Sequence, residues 1–162
     1  MHGHGDGNDK EKKERIADQV SKGLISKLRE GGFSESIHGV SPKTGYMTAI
    51  TNKTEKKILL TDVSEKDLHD FILNNFKTLG KEDMYFGGWL DTDKATGERW
   101  AYFDASKNIQ SLEEAVKVAA SSKQIAIYDL AGDRSLYIDY AENNKVWYWK
   151  DPNAETGKTW LE

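Results

Sequence analysis

The stretch Met84–Asp104, MYFGGWLDTDKATGERWAYFD, constrains the fold more than any other part of the chain. Aromatic residues recur with period two on both sides of a polar segment that ends in Thr96-Gly97. That period puts neighbouring side chains on opposite faces of a strand, so the stretch predicts a β-hairpin with two aromatic arms. Its pattern returns near the C-terminus. Trp89, Asp91, Thr96, Gly97 and Trp100 recur at the same spacing as Trp149, Asp151, Thr156, Gly157 and Trp160, both copies reading W-x-D-x4-T-G-x-x-W. The expected turn has an Asp accepting from free backbone N–H groups and a Gly in the left-handed region. The two tryptophans of each copy, Trp89 with Trp100 in the first, are expected to meet across the strands. Ser41-Pro42-Lys43-Thr44-Gly45-Tyr46 repeats the Thr-Gly ending more weakly.

Gly87-Gly88 interrupts the first arm. Glycine costs a strand backbone entropy, so a bulge, or close approach by another backbone or a ligand, is expected there.

Helical periodicity marks three other segments. Lys10–Glu30 carries Ile16, Val20, Leu24, Ile25 and Leu28 on one face and is stopped by Gly31-Gly32. Ser64–Leu79 carries Leu68, Phe71, Ile72, Phe76 and Leu79, with Ser64 and Asp67 at capping-box spacing; His69 falls off this stripe and is expected to be exposed. Ser111–Ser122 opens with Ser111 and Glu114 as a capping box and offers the small face Leu112, Ala115, Val116 and Ala119. Strands are expected at 33–38, 46–51, 57–61, 124–130, 135–140 and 146–150, with Ile125 and Ile127 sharing one face and Leu136, Ile138 and Tyr140 another. Residues 1–9, MHGHGDGND, read as a disordered leader. Adjacent runs of strands joined by short turns imply an α+β fold: a mainly antiparallel sheet of hairpins with about three helices packed on it. Residues 10–162 read as a single domain. The second aromatic copy stops two residues after Trp160, which reads as a return strand cut short and a chain excised from a longer protein.

With 23 basic and 27 acidic residues well mixed and a net charge of −4, no basic face for nucleic acid is expected. There is no cysteine, hence no disulfide, zinc-thiolate site or thiol nucleophile. Met1–Glu14 has no apolar run of the signal-peptide kind, and no stretch approaches the roughly 20 apolar residues of a membrane-spanning helix. A soluble, cytoplasmic protein is the expectation.

Three blocks carry a family resemblance: Gly31-Gly32-Phe33-Ser34 leading to Thr44-Gly45-Tyr46-Met47; Gly87-Gly88-Trp89 and Asp91 leading to Thr96-Gly97, Asp104 and Ser106; and Ala115, Ala119 and Gln124 leading to Ala126-Ile127-Tyr128-Asp129-Leu130. In this order they resemble an uncharacterised module of multidomain phage, prophage and conjugative-element proteins, often found near minor head proteins. The likeness covers about residues 31–139 and leaves out the last aromatic segment. It implies a mobile-element context, in a host cytoplasm or a virion, and brings no catalytic residues with it.

No P-loop, G-x-G-x-x-G, H-E-x-x-H or G-x-S-x-G occurs. Asp91, Asp93 and Glu98 crowd one turn, but the spacing of Gly97 and Trp100 fails the EF-hand pattern, so no metal or cofactor is assigned. His2 and His4 in the leader offer at most weak chelation. The alternative to a binding module is a hydrolase or transferase using His38 with Asp91, Asp93, Glu98 and Asp104. The stronger candidate is the aromatic set Tyr85, Trp89, Trp100, Tyr102, Trp147 and Trp149, joined by Trp160. These rings are either core or an exposed docking surface for a protein partner, and both readings stand.

Overall fold

The computed structural model describes residues 2–50 and 55–162, with side chains from residue 9 onward. The fold is α+β, as expected: an antiparallel sheet of nine strands and four helices among the described residues. The chain divides into two compact units, Met1–Ser41 with Lys53–Ala105, and Pro42–Asn52 with Ser106–Glu162.

In the first unit, α1 (His2–Glu30) begins well before the apolar periodicity does, taking in residues expected as a leader. Ala17, Val20, Leu24 and Leu28 are its buried stripe. The helix stops at Gly31 (φ 139), whose N–H donates to the Leu28 carbonyl. The expected helix 64–79 is two pieces, α2 (Glu65–Asn74) and α3 (Phe76–Leu79). The break falls at Asn75, whose side-chain amide donates to the Phe71 carbonyl and competes with the helix ladder. The Ser64–Asp67 capping box forms, with the Ser64 N–H donating to the Asp67 carboxylate at 2.8 Å. His69 is not exposed as expected. It is half-buried against α1, its Nε2 3.0 Å from Asp18 Oδ1.

Four strands complete this unit: β1 (Gly32–Glu35), β3 (Lys56–Leu59), β4 (Met84–Thr92) and the first part of β5 (Arg99–Ile109), in the order β1-β4-β5-β3. The rings of Phe33, Phe71, Phe86 and Phe103 interlock; Phe71 stacks on Phe86 at 4.8 Å, and Phe33 and Phe103 meet Phe86 edge-on at 4.9 and 5.5 Å. Phe86, Phe103 and the helical Leu24, Leu28, Leu68, Ile72 and Leu79 are fully buried. The Gly87-Gly88 pair resolves as close approach. A Cβ on Gly88 would lie 2.4 Å from the Phe33 ring, and one on Gly32 would lie 2.6 Å from the Gly88 carbonyl oxygen.

In the second unit, β2 (Tyr46–Ala49) lies between the end of β5 and β6 (Ala126–Asp129), followed by β7 (Arg134–Asp139), β8 (Lys145–Asp151) and β9 (Thr156–Trp160). Residue 51, the end of the expected strand 46–51, lies outside the described residues. α4 (Leu112–Ser121) is capped by Ser111, whose Oγ accepts from the Glu114 N–H. Its Ala115, Val116 and Ala119 pack with Ile109, Ile127, Leu136, Ile138 and Val146. The small helix face brings helix and strands close together.

Two apolar assignments here are corrected. Ile125 is 75% exposed, because it sits outside β6 in the turn that leaves α4 through Lys123 (φ 55). Tyr140 is 44% exposed rather than continuing the inward row of Leu136 and Ile138. Asp139 ends β7 by accepting from the N–H groups of Ala141 and Glu142, which turns residues 140–142 into a short 3-10 segment.

Candidate functional site

The candidate aromatic residues occupy the face of each unit's strands opposite its apolar core. In β4 and β5, Phe86, Ala101 and Phe103 point inward. Strand alternation therefore turns Tyr85, Trp89, Trp100 and Tyr102 outward, where Trp89 is 42% exposed and the other three are half-buried. Trp89 lies flat on Tyr102, with ring centroids 4.2 Å apart and planes within 9°. From β3, the Lys57 ammonium sits 4.4 Å from the Trp100 ring and 5.6 Å from the Tyr102 ring. The result is a row of three rings with a lysine clasped among them. Each such contact at an exposed site is worth about 0.5–1 kcal/mol, so the row is held in place before any ligand arrives.

The expected meeting of Trp89 with Trp100 is corrected to Trp89 with Tyr102. The reason is the turn. The Asp93 N–H donates to the Glu98 carbonyl and the Gly97 N–H to the Asp93 carbonyl, so Asp93 and Glu98 close the loop. Moving away from that closure by equal steps along each strand brings residue 89 opposite residue 102. Trp100 instead lies opposite Leu59 of β3.

The C-terminal copy closes earlier. Asp151 pairs with Thr156, so Trp147 faces Trp160 and Trp149 faces Lys158, and the expected Trp149–Trp160 pair is likewise replaced. The glycines keep the same conformation in both copies, φ 77 at Gly97 and 76 at Gly157. Thr156–Trp160 of β9 pair antiparallel with Trp147–Asp151 of β8.

Around β8 the rings again cluster. Tyr137 stacks on Trp147 at 4.7 Å, Trp149 meets Trp147 edge-on at 4.8 Å, and the Lys158 ammonium is 4.7 Å from both Trp147 and Trp160. Lys158 also reaches Asp139 at 3.9 Å. Trp160 is 41% exposed. Sequence reasoning missed Tyr137, Lys57 and Lys158. The order Lys158-x-Trp160 places that lysine on the indole's face, a signal available in the sequence. Lys57 carried no such signal, because its partners are more than forty residues away along the chain.

The candidate catalytic groups are placed differently. His38 is exposed in the loop after β1, where its backbone N–H donates to Ser36 Oγ. Asp91, Asp93 and Glu98 are exposed at the hairpin turn, and Asp93 Oδ1 accepts from the N–H groups of Ala95 and Thr96. Asp104 is half-buried within β5. Among the described residues no three His, Asp or Glu side chains gather as metal ligands. Two tyrosines among the described residues titrate above the ordinary tyrosine range. Burial, then the hydrogen bond to Asp133 and the charges of Asp133 and Asp129, push the Tyr128 hydroxyl well above the usual tyrosine range. Burial alone raises Tyr140, whose hydroxyl donates to the Gln124 carbonyl. Both groups are held neutral, which suits structure rather than proton transfer. Among the described residues no helix is long and apolar enough to cross a membrane. No family model, curated protein or solved structure matches this chain.

Proposed function

We propose that this chain is a non-enzymatic binding module of a phage- or prophage-derived protein, acting in the host cytoplasm or on a virion, that docks a protein partner through the aromatic face of β4 and β5. The observation that carries the reading is Trp89: it is 42% exposed yet fixed flat on Tyr102. A ring already held in one orientation loses little freedom on binding, and Trp and Tyr dominate the energetics of protein interfaces. Lys57, clasped beside Trp100 and Tyr102, adds a cation at the edge of the same surface. The mobile-element context is supported by the three sequence blocks, which run from β1 into β2, span β4–β5, and run from α4 through β6.

The test is affinity enrichment from cells carrying the element, with the full chain and a Trp89→Ser/Tyr102→Ser variant as baits. Any protein captured by the first and lost with the second is then purified and titrated against both. The expected result is a direct complex that the double variant weakens at least a hundredfold, the scale of one or two interface hot spots. A partner that binds both proteins equally would overturn this surface as the docking site.

A further inference from the structure

The second aromatic cluster has the make-up of a cation site, and a cation already occupies it. The Lys158 ammonium is 4.7 Å from the ring centres of Trp147 and Trp160, which face each other across β8 and β9. A third side is Asp139, whose Oδ2 lies 3.9 Å from the same ammonium. Two of these walls, Trp147 and Asp139, are fixed from behind. Tyr137 stacks on Trp147 and Trp149 meets its edge. Asp139 Oδ1 is engaged by the N–H groups of Ala141 and Glu142, leaving Oδ2 turned to the box. Trp160 also borders an open depression whose other lining residues include Glu142 and Glu162.

We propose that the Trp147–Trp160–Asp139 box is a binding site for a small quaternary ammonium compound, with Lys158 as a built-in plug that such a ligand displaces. The argument is one of hydration and charge. A primary ammonium is strongly hydrated and gains modestly from an indole face, whereas a quaternary ammonium spreads its charge over methyl groups and gives up little water on entering an aromatic box. With Lys158 swung out, Asp139, Glu142 and Glu162 outnumber Lys145 around the box and depression, so the vacated site favours a cation. The site does not depend on the docking surface of β4 and β5.

The test is titration of the full chain with choline, followed through the indole N–H resonances of Trp147 and Trp160, against the neutral carbon isostere of choline as control. The unmodified chain is expected to bind choline weakly. Lys158→Ala is expected to bind it about tenfold more tightly, because the resident cation no longer competes. Trp160→Leu in either background is expected to abolish binding. Lys158→Met, which keeps the aliphatic stem, serves if the alanine variant does not fold. Affinity unchanged or reduced without Lys158, equal binding of the neutral isostere, or binding that survives Trp160→Leu would each overturn the proposal.

Discussion

The Phe33 ring lies across the backbone of Gly88, leaving no room for a side chain there. Their register, Phe33 opposite Gly88, ties β1 to the central hairpin, and the same ring meets Phe86 edge-on at 4.9 Å. Replacing glycine by alanine in a compatible conformation normally gains about 0.4–1 kcal/mol through the unfolded chain. Here the sign is reversed. Gly88→Ala is expected to lower stability by about 1–3 kcal/mol, the scale of an overpacked core, and Phe33→Leu in the same background to recover part of that loss. Urea unfolding of the three proteins decides it.

The stack of Trp89 on Tyr102 makes a second expectation specific. A double-mutant cycle over Trp89→Ala and Tyr102→Ala should give a coupling energy of about 0.5–1.5 kcal/mol. The corresponding cycle over Trp89 and Trp100 should give a smaller coupling, since Trp100 stands opposite Leu59 and under Lys57. Equal coupling in both cycles would contradict the hairpin register.

Much of this architecture could be read from the residues, because the periodic signals are local. The stripes Leu24 to Leu28 and Leu68 to Phe71 lie on helices, and the Ser64 and Ser111 caps work at the helix starts the spacing implies. What the pattern left open was pairing at a distance. β3 joins β5 and β2 joins both β5 and β6 across tens of intervening residues, and no local rule selects those neighbours. Lys57 reaches Trp100, and His69 reaches Asp18, only through such long-range placement. The aromatic surface was legible as a set of residues but not as pairs. Ring pairing depends on where the turn closes, and a shift of two residues along each strand keeps every side chain on its face while exchanging every partner.

The Tyr128 hydroxyl donates to Asp133 at the turn between β6 and β7, with Asp129 nearby. Its pKa lies above the ordinary value of 10.0, so the unfolded chain gives up this proton at lower pH than the folded one. The neutral hydroxyl's contribution is therefore complete below about pH 10 and falls as pH rises above it. Tyr128→Phe has no proton to lose at this position. Its stability should decline less than that of the unmodified chain above about pH 10, as measured by urea unfolding at a series of pH values. Parallel declines would show that Tyr128 is not the group responsible.

The two W-x-D-x4-T-G-x-x-W copies assign their turn-capping role to different aspartates. In the first, Asp93 Oδ1 accepts from the N–H groups of Ala95 and Thr96, at 2.9 and 3.3 Å. In the second, Asp151 Oδ1 accepts from Asn153 and Ala154, at 3.1 and 3.2 Å. Asp151 aligns with Asp91, not with Asp93, so the shared motif residue does the work in one copy only. Asp93→Ala and Asp151→Ala should each cost about 0.5–1.5 kcal/mol, the net worth of a lost hydrogen bond with its acceptor removed. Asp91→Ala and Asn153→Ala, at the aligned positions of the opposite copy, should each stay within about 0.5 kcal/mol of the unmodified chain. Unfolding midpoints of the four variants test the crossed pattern. A large loss for Asp91→Ala beside a small one for Asp93→Ala would mean that the first turn closes where the second does, and the Trp89–Tyr102 platform would then be paired differently.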